Sequence, residues 1–168
     1  MVNVVQQGIN RISFDDSEVP PICVGQGMIN NPDLPLVVQL DIANYGVRKV
    51  LVDNGSSANI IFADTLNKMD LKPEGLRNVT TSLLGFGGGE VRPLGSVYLA
   101  VSMGRVPCRV TKELQFMVVD CPFDYTVLLG RPGINAFKSI PSTLHLKMKF
   151  STPFDVTIRP KRRITPRS

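Results

Sequence analysis

Leu36-Val37-Val38-Gln39-Leu40-Asp41-Ile42-Ala43 and Val47-Arg48-Lys49-Val50-Leu51-Val52 are two apolar, β-branched runs separated only by Asn44-Tyr45-Gly46. Runs of that length bounded by turn formers read as strands, and so short a connection makes them an antiparallel hairpin. Further short strands are expected over residues 79–84, 97–103, 114–119 and 126–129, with Gly or Pro between them. Leu144-His145-Leu146-Lys147-Met148-Lys149-Phe150 alternates apolar and polar positions, which predicts a strand with one buried face. Two stretches read as helix. Residues 63–69 place Phe62, Leu66 and Met69 on one face and end at Lys72-Pro73-Glu74-Gly75; residues 132–139 form a second, weakened by Gly133 and Asn135. Many short strands with one or two short helices make a mainly β protein, and the strand number suits a closed or strongly curved barrel.

The first 35 residues follow a different pattern, rich in Pro, Gly and Asn, with an alternation at Ile12-Ser13-Phe14 before the acidic run Asp15-Asp16-Ser17-Glu18. They read as an arm carrying one short strand. At 168 residues, the chain has room for one compact domain, expected over residues 36–150. The net charge of +5 invites a nucleic-acid partner until its location is considered. Residues 1–158 carry 14 basic and 14 acidic groups, so the whole excess lies in Arg159, Lys161, Arg162, Arg163 and Arg167. Residues 151–168 therefore read as a disordered basic tail, and only its segment 159–168 is a candidate for touching RNA or an acidic surface.

Cys23, Cys108 and Cys121 are odd in number and match neither zinc-site nor disulfide spacing. No secretory-type apolar segment follows Met1, and no apolar run approaches the roughly 18 to 20 residues of a spanning helix. A cytoplasmic, reducing setting is expected, with no membrane partner, no metal and no cofactor.

The most informative segment is Val50-Leu51-Val52-Asp53-Asn54-Gly55-Ser56-Ser57-Ala58-Asn59-Ile60, where an apolar strand delivers an acid followed by Gly and two hydroxyls. Asn54-Gly55 is also a strong two-residue hairpin signal, which would make Asp53 an ordinary flanking residue. Two later segments bear on this choice. Leu83-Leu84-Gly85-Phe86-Gly87-Gly88-Gly89-Glu90-Val91 sets four glycines and one aromatic between strand-like runs, and Thr126-Val127-Leu128-Leu129-Gly130-Arg131-Pro132-Gly133 is again an apolar run ending in Gly. A dinucleotide-binding reading of the glycine loop fails because Val91-Arg92-Pro93-Leu94-Gly95 forbids the helix that must follow it. A Ser-His-acid triad has only His145 to recruit, on the polar positions of an alternating strand, and no Gly-x-Ser-x-Gly elbow is present. Asp120 follows an apolar run too, but Cys121-Pro122 comes next rather than Gly, so it reads as structural.

In this order and spacing the three segments resemble the retropepsin family of aspartic proteases, most nearly the proteases of gypsy-type long-terminal-repeat retrotransposons of plants, over about residues 12–150. The resemblance implies a closed acid-protease barrel that works as a homodimer. It makes Asp53 catalytic in an active-site loop of Asn54, Gly55, Ser56 and Ser57, with Ser56 oriented to hydrogen-bond Asp53. It makes Gly85, Phe86, Gly87 and Gly88 a substrate-binding flap, and Leu128, Leu129, Gly130 and Arg131 the support beneath the loop. One such loop per chain calls for a second copy to complete the carboxyl pair. The implied activity is hydrolysis of peptide bonds in a Gag-Pol-like polyprotein, in the cytoplasm or in particles assembled there. Two positions depart from the family pattern: Asn54 stands where Thr or Ser is usual, and Ser57 where retroviral members often carry an acid that pairs with the later Arg. The alternative is a degenerate module of the same fold that dimerises or binds peptides without cleaving them.

Overall fold

A computed structural model describes residues 3–4, 12–13, 34–85 and 88–152. Strands β1 (Asn3–Val4) and β2 (Ile12–Ser13) pair antiparallel. The barrel is built from β3 (Val37–Ile42), β4 (Tyr45–Val52), β5 (Ile60–Phe62), β8 (Gly95–Met103), β9 (Val110–Val119) and β10 (Val127–Leu129). Around the barrel the order is β10-β4-β3-β8-β9-β5, closing back on β10. Two contacts are parallel, β4 with β10 and β5 with β9, and the remaining four are antiparallel. Helix α1 (Ala63–Lys68) follows β5 directly, and α2 (Arg131–Ala136) follows β10 after the single residue Gly130. Two small antiparallel hairpins lie outside the barrel: β6 (Leu83–Leu84) with β7 (Glu90–Val91), and β11 (Ile140–Ser142) with β12 (Lys147–Lys149). The expected mainly β barrel with two short helices is what the chain forms.

Side-chain alternation sets the barrel interior. Leu99, Val101 and Met103 of β8 and Leu114, Phe116 and Val118 of β9 point to the same buried side, at the period of two that a pleated strand requires. In β4 the period breaks, since Val47 and Val50 are both buried although an odd number of positions separates them. Lys49 has φ 59, and the register steps from Val38↔Val50 to Leu40↔Val47, so β4 carries one extra residue. This bulge returns both valines to the core and leaves Arg48 and Lys49 exposed. Thr126 closes over the bulge: its amide donates to the Lys49 carbonyl at 3.1 Å, and its hydroxyl donates to the Arg48 carbonyl. The α1 face of Phe62, Leu66 and Met69 is buried as its spacing predicts.

Several boundaries differ from expectation. The β3–β4 turn is Ala43-Asn44, both in the left-handed region at φ 47 and 69, while Tyr45 and Gly46 already pair with Ile42 and Asp41. Two successive positive φ angles give the twist that matches a two-residue hairpin, which a three-residue Asn-Tyr-Gly loop does not supply. The strand expected over 79–84 shrinks to β6. The one expected over 144–150 shrinks to β12, because residues 143–146 turn with Leu146 at φ 48. His145 therefore sits in a turn, its Nδ1 2.6 Å from the Ser142 hydroxyl, rather than on a solvated strand face. Most of the N-terminal arm and residues 153–168 of the tail lie outside the described residues.

Candidate active site

Val50, Leu51 and Val52 of β4 run parallel to Val127, Leu128 and Leu129 of β10, so both strands end on the same side of the barrel. Asp53 leaves β4 there and Gly130 leaves β10. The two exits are tied by the Asp53 amide, which donates to the Leu129 carbonyl at 2.9 Å. Residues 53–59 do not form the hairpin that Asn54-Gly55 permits, because β4 and β5 are not paired and β10 separates them in the barrel order. The chain loops out, exposes Asn54, Gly55 and Ser57, and returns into the barrel as β5.

The loop is held from within by backbone groups. One carboxylate oxygen of half-buried Asp53 accepts the Gly55 amide at 2.9 Å, and the Asp53 carbonyl accepts the Ser56 amide at 3.3 Å. The Ser56 hydroxyl donates to the Ala58 carbonyl at 2.9 Å, not to Asp53, which corrects the expected orienting role. Its effect is to tighten the far side of the loop, while Gly55 supplies the hydrogen bond to the acid.

Leu129, Gly130 and Arg131 adjoin the loop, while Leu128 pairs with Leu51 and Ile60 in the strands on either side of it. A Cβ on Gly130 would lie 2.1 Å from the Ala58 carbonyl oxygen and 2.9 Å from that of Ser56, so only glycine lets the two backbones approach this closely. The Arg131 amide donates to the Ser56 carbonyl at 2.9 Å and its guanidinium reaches the Gly55 carbonyl at 3.3 Å. Arg131 thus binds main-chain oxygens rather than a carboxylate.

Asn59 was not singled out by the sequence reading, yet it joins more of the site than any of the residues that were. It is 2% exposed. Its side-chain oxygen accepts the amides of Gly130 at 3.0 Å and Gly133 at 3.1 Å, and its amide nitrogen donates to the Gln115 carbonyl at 3.0 Å. Its own carbonyl accepts the Met117 amide at 2.8 Å. One side chain thus fastens the end of the Asp53 loop to the first turn of α2 and to β9. A polar residue immediately before Ile60-Ile61-Phe62 was the available signal.

The glycine-rich segment forms a hairpin: Gly85 donates to the Gly89 carbonyl at 2.8 Å, beyond the β6–β7 pair. Gly85 and Gly88 are exposed, and Gly88 has φ 81. The expected flap tip, Phe86 and Gly87, lies outside the described residues. A groove of about 350 Å³ beside the loop is lined by Ser57, Asn59, Gln115 and Pro132 among others, but not by Asp53. Among the described residues no group of His, Cys, Asp and Glu could hold a metal ion, and no helix is long and apolar enough to cross a membrane. Asp120 is exposed at the end of β9.

No protein-family model matches the sequence, and no curated protein does. Solved structures match the fold. The retroviral protease-like domain of Ddi1 from Leishmania major superposes with a TM-score of 0.53 at 15% identity, over 79% of this chain and 99% of that one. A retropepsin-like aspartic protease from Rickettsia conorii matches at TM-score 0.48 and 19% identity, covering 63% of this chain and 75% of the other. The EIAV protease complexed with the inhibitor HBY-793 matches at 0.44 and 20%, covering 64% and 92%. The barrel has the retropepsin-like fold. At these identities the likeness concerns architecture, and the chemistry has to be argued from the residues.

Proposed function

We propose that this chain is one subunit of a homodimeric aspartic endopeptidase, with Asp53 from each of two copies forming the catalytic pair. The observation that carries the reading is the placement of Asp53 at a strand end, in a loop braced by Gly130, Arg131 and Asn59, with its carboxylate already oriented by the Gly55 amide. Two carboxyls about 3 Å apart repel by roughly 5 to 6 kcal/mol at an effective dielectric of about 20 when both are ionised. The repulsion is relieved when one member is protonated and the other ionised. The ionised member takes a proton from a bound water as that water attacks the scissile carbonyl, and the protonated member donates to the carbonyl oxygen. Amide hydrolysis then needs no covalent intermediate. The hairpin at residues 83–91 is read as the cover that excludes water and orders an extended peptide.

The proposed substrate is a Gag-Pol-like polyprotein of a gypsy-type retrotransposon, processed in the cytoplasm or in particles assembled there. A peptide-binding module without catalysis is the second reading, and it is favoured by one observation: an exposed amide, Asn54, stands where the family uses a hydroxyl. Incubating purified protein with a Gag-derived peptide library at acidic to neutral pH, beside Asp53→Ala, separates the two readings. Cleavage by the parent chain alone is expected. Cleavage that survives the substitution removes Asp53 from the mechanism, and none by either protein selects the binding module.

A further inference from the structure

Asn54-Gly55 is exposed on both residues, and its surroundings bear on the chemical stability of the loop itself. An asparagine side-chain amide carbon can be attacked by the main-chain nitrogen of the next residue, closing a five-membered succinimide. Glycine in the second position removes the Cβ that would hinder this attack. The attacking nitrogen must lose its proton, and here the Gly55 N–H points at a carboxylate oxygen of Asp53, 2.9 Å away.

We propose that Asn54-Gly55 is a self-modification site in which Asp53 acts as the base. The Asp53 carboxylate takes the Gly55 amide proton as the nitrogen bonds to Cγ of Asn54. The bond from Cγ to Nδ2 then breaks, and Nδ2 leaves as ammonia, carrying the proton returned from Asp53. Water next opens the ring: breaking the new N–Cγ bond leaves aspartate at position 54, and breaking the main-chain N–C bond leaves isoaspartate. No oxidant or reductant is consumed. Either product adds a carboxylate next to Asp53, and the second lengthens the main chain by one methylene. The chemical step stands apart from the peptidase reading, because it needs only the loop geometry of a single chain.

The test is to age the folded full-length chain at neutral pH and 37 °C, and to follow the peptide spanning residues 50–68 by mass spectrometry with an isoaspartate-specific methylation assay. A gain of about one mass unit at residue 54 is expected, with both aspartate and isoaspartate formed. Asn54→Ser should show no gain in that peptide beyond what Asn59 and Asn67 produce. Asp53→Ala, checked for folding by circular dichroism, should modify several-fold more slowly than the parent. An unmodified parent chain would overturn the site. Modification as fast or faster in folded Asp53→Ala would overturn Asp53 as the base. Neither result would depend on whether the protein cleaves peptides.

Discussion

Replacing Asn59 by Ala is a severe perturbation that the loop's architecture predicts outside the hydrophobic core. The substitution removes an acceptor shared by two buried amides, those of Gly130 and Gly133, and a donor to the Gln115 carbonyl. Each buried donor left without a partner costs about 1 to 3 kcal/mol, so the two amides alone give roughly 2 to 6 kcal/mol. The Gln115 carbonyl adds less, because Gln115 is an exposed residue. With a urea dependence of about 2 kcal/mol per molar for a domain of this size, the unfolding midpoint should fall by about 1 to 3 M. The chain has no Trp, so far-UV circular dichroism is the suitable probe. Asn59→Asp keeps the shared acceptor but loses the donor and sets a buried carboxylate oxygen against the Gln115 carbonyl, so its midpoint should also fall below that of the parent. A change below about 0.5 kcal/mol for Asn59→Ala, as for an ordinary surface position, would refute the bracing role.

Gly130→Ala forces a Cβ to within 2.1 Å of the Ala58 carbonyl oxygen, which belongs to the backbone and has no rotamer to escape into. A loss of about 3 kcal/mol or more is expected in the same urea titration, and a parent-like midpoint would mean that the loop and α2 do not meet as described. Arg109→Ala breaks the 2.8 Å pair with Asp41, but both side chains are more than a third exposed. Its cost should stay below about 1 kcal/mol and shrink further in added salt.

The extent to which the chain announces its fold follows from how local each determinant is. The strand pair at residues 36–52 and the α1 face of Phe62, Leu66 and Met69 were legible because adjacent residues carry their periodicity. The Lys49 bulge was not, since a one-residue insertion becomes visible only when Val38 and Leu40 supply the opposite register. Ser56 was misread for a related reason: a hydroxyl three positions from an acid invites a local bond, yet the Gly55 amide reaches the carboxylate first and Ser56 turns toward Ala58. Asn59 was passed over because asparagine in a loop ordinarily signals a turn. Its partners lie 71 and 74 positions away in Gly130 and Gly133, a relation that the antiparallel β5–β10 contact creates by pairing Ile60 with Leu128. The short alternating run at residues 144–150 failed for the opposite reason, since its local pattern was clear but residues 143–146 turn instead of extending.

The central claim is that two copies of Asp53 act together, and subunit mixing tests it most directly. A fixed amount of active parent chain, at a concentration where dimers are complete, is mixed with an equal amount of Asp53→Ala and allowed to exchange before peptide cleavage is measured. With random pairing only one subunit pair in about four retains both carboxyls, so cleavage per parent chain should fall to about half of its value before mixing. Cleavage that stays unchanged after exchange, with mixed dimers verified by native mass spectrometry, would contradict the shared carboxyl pair.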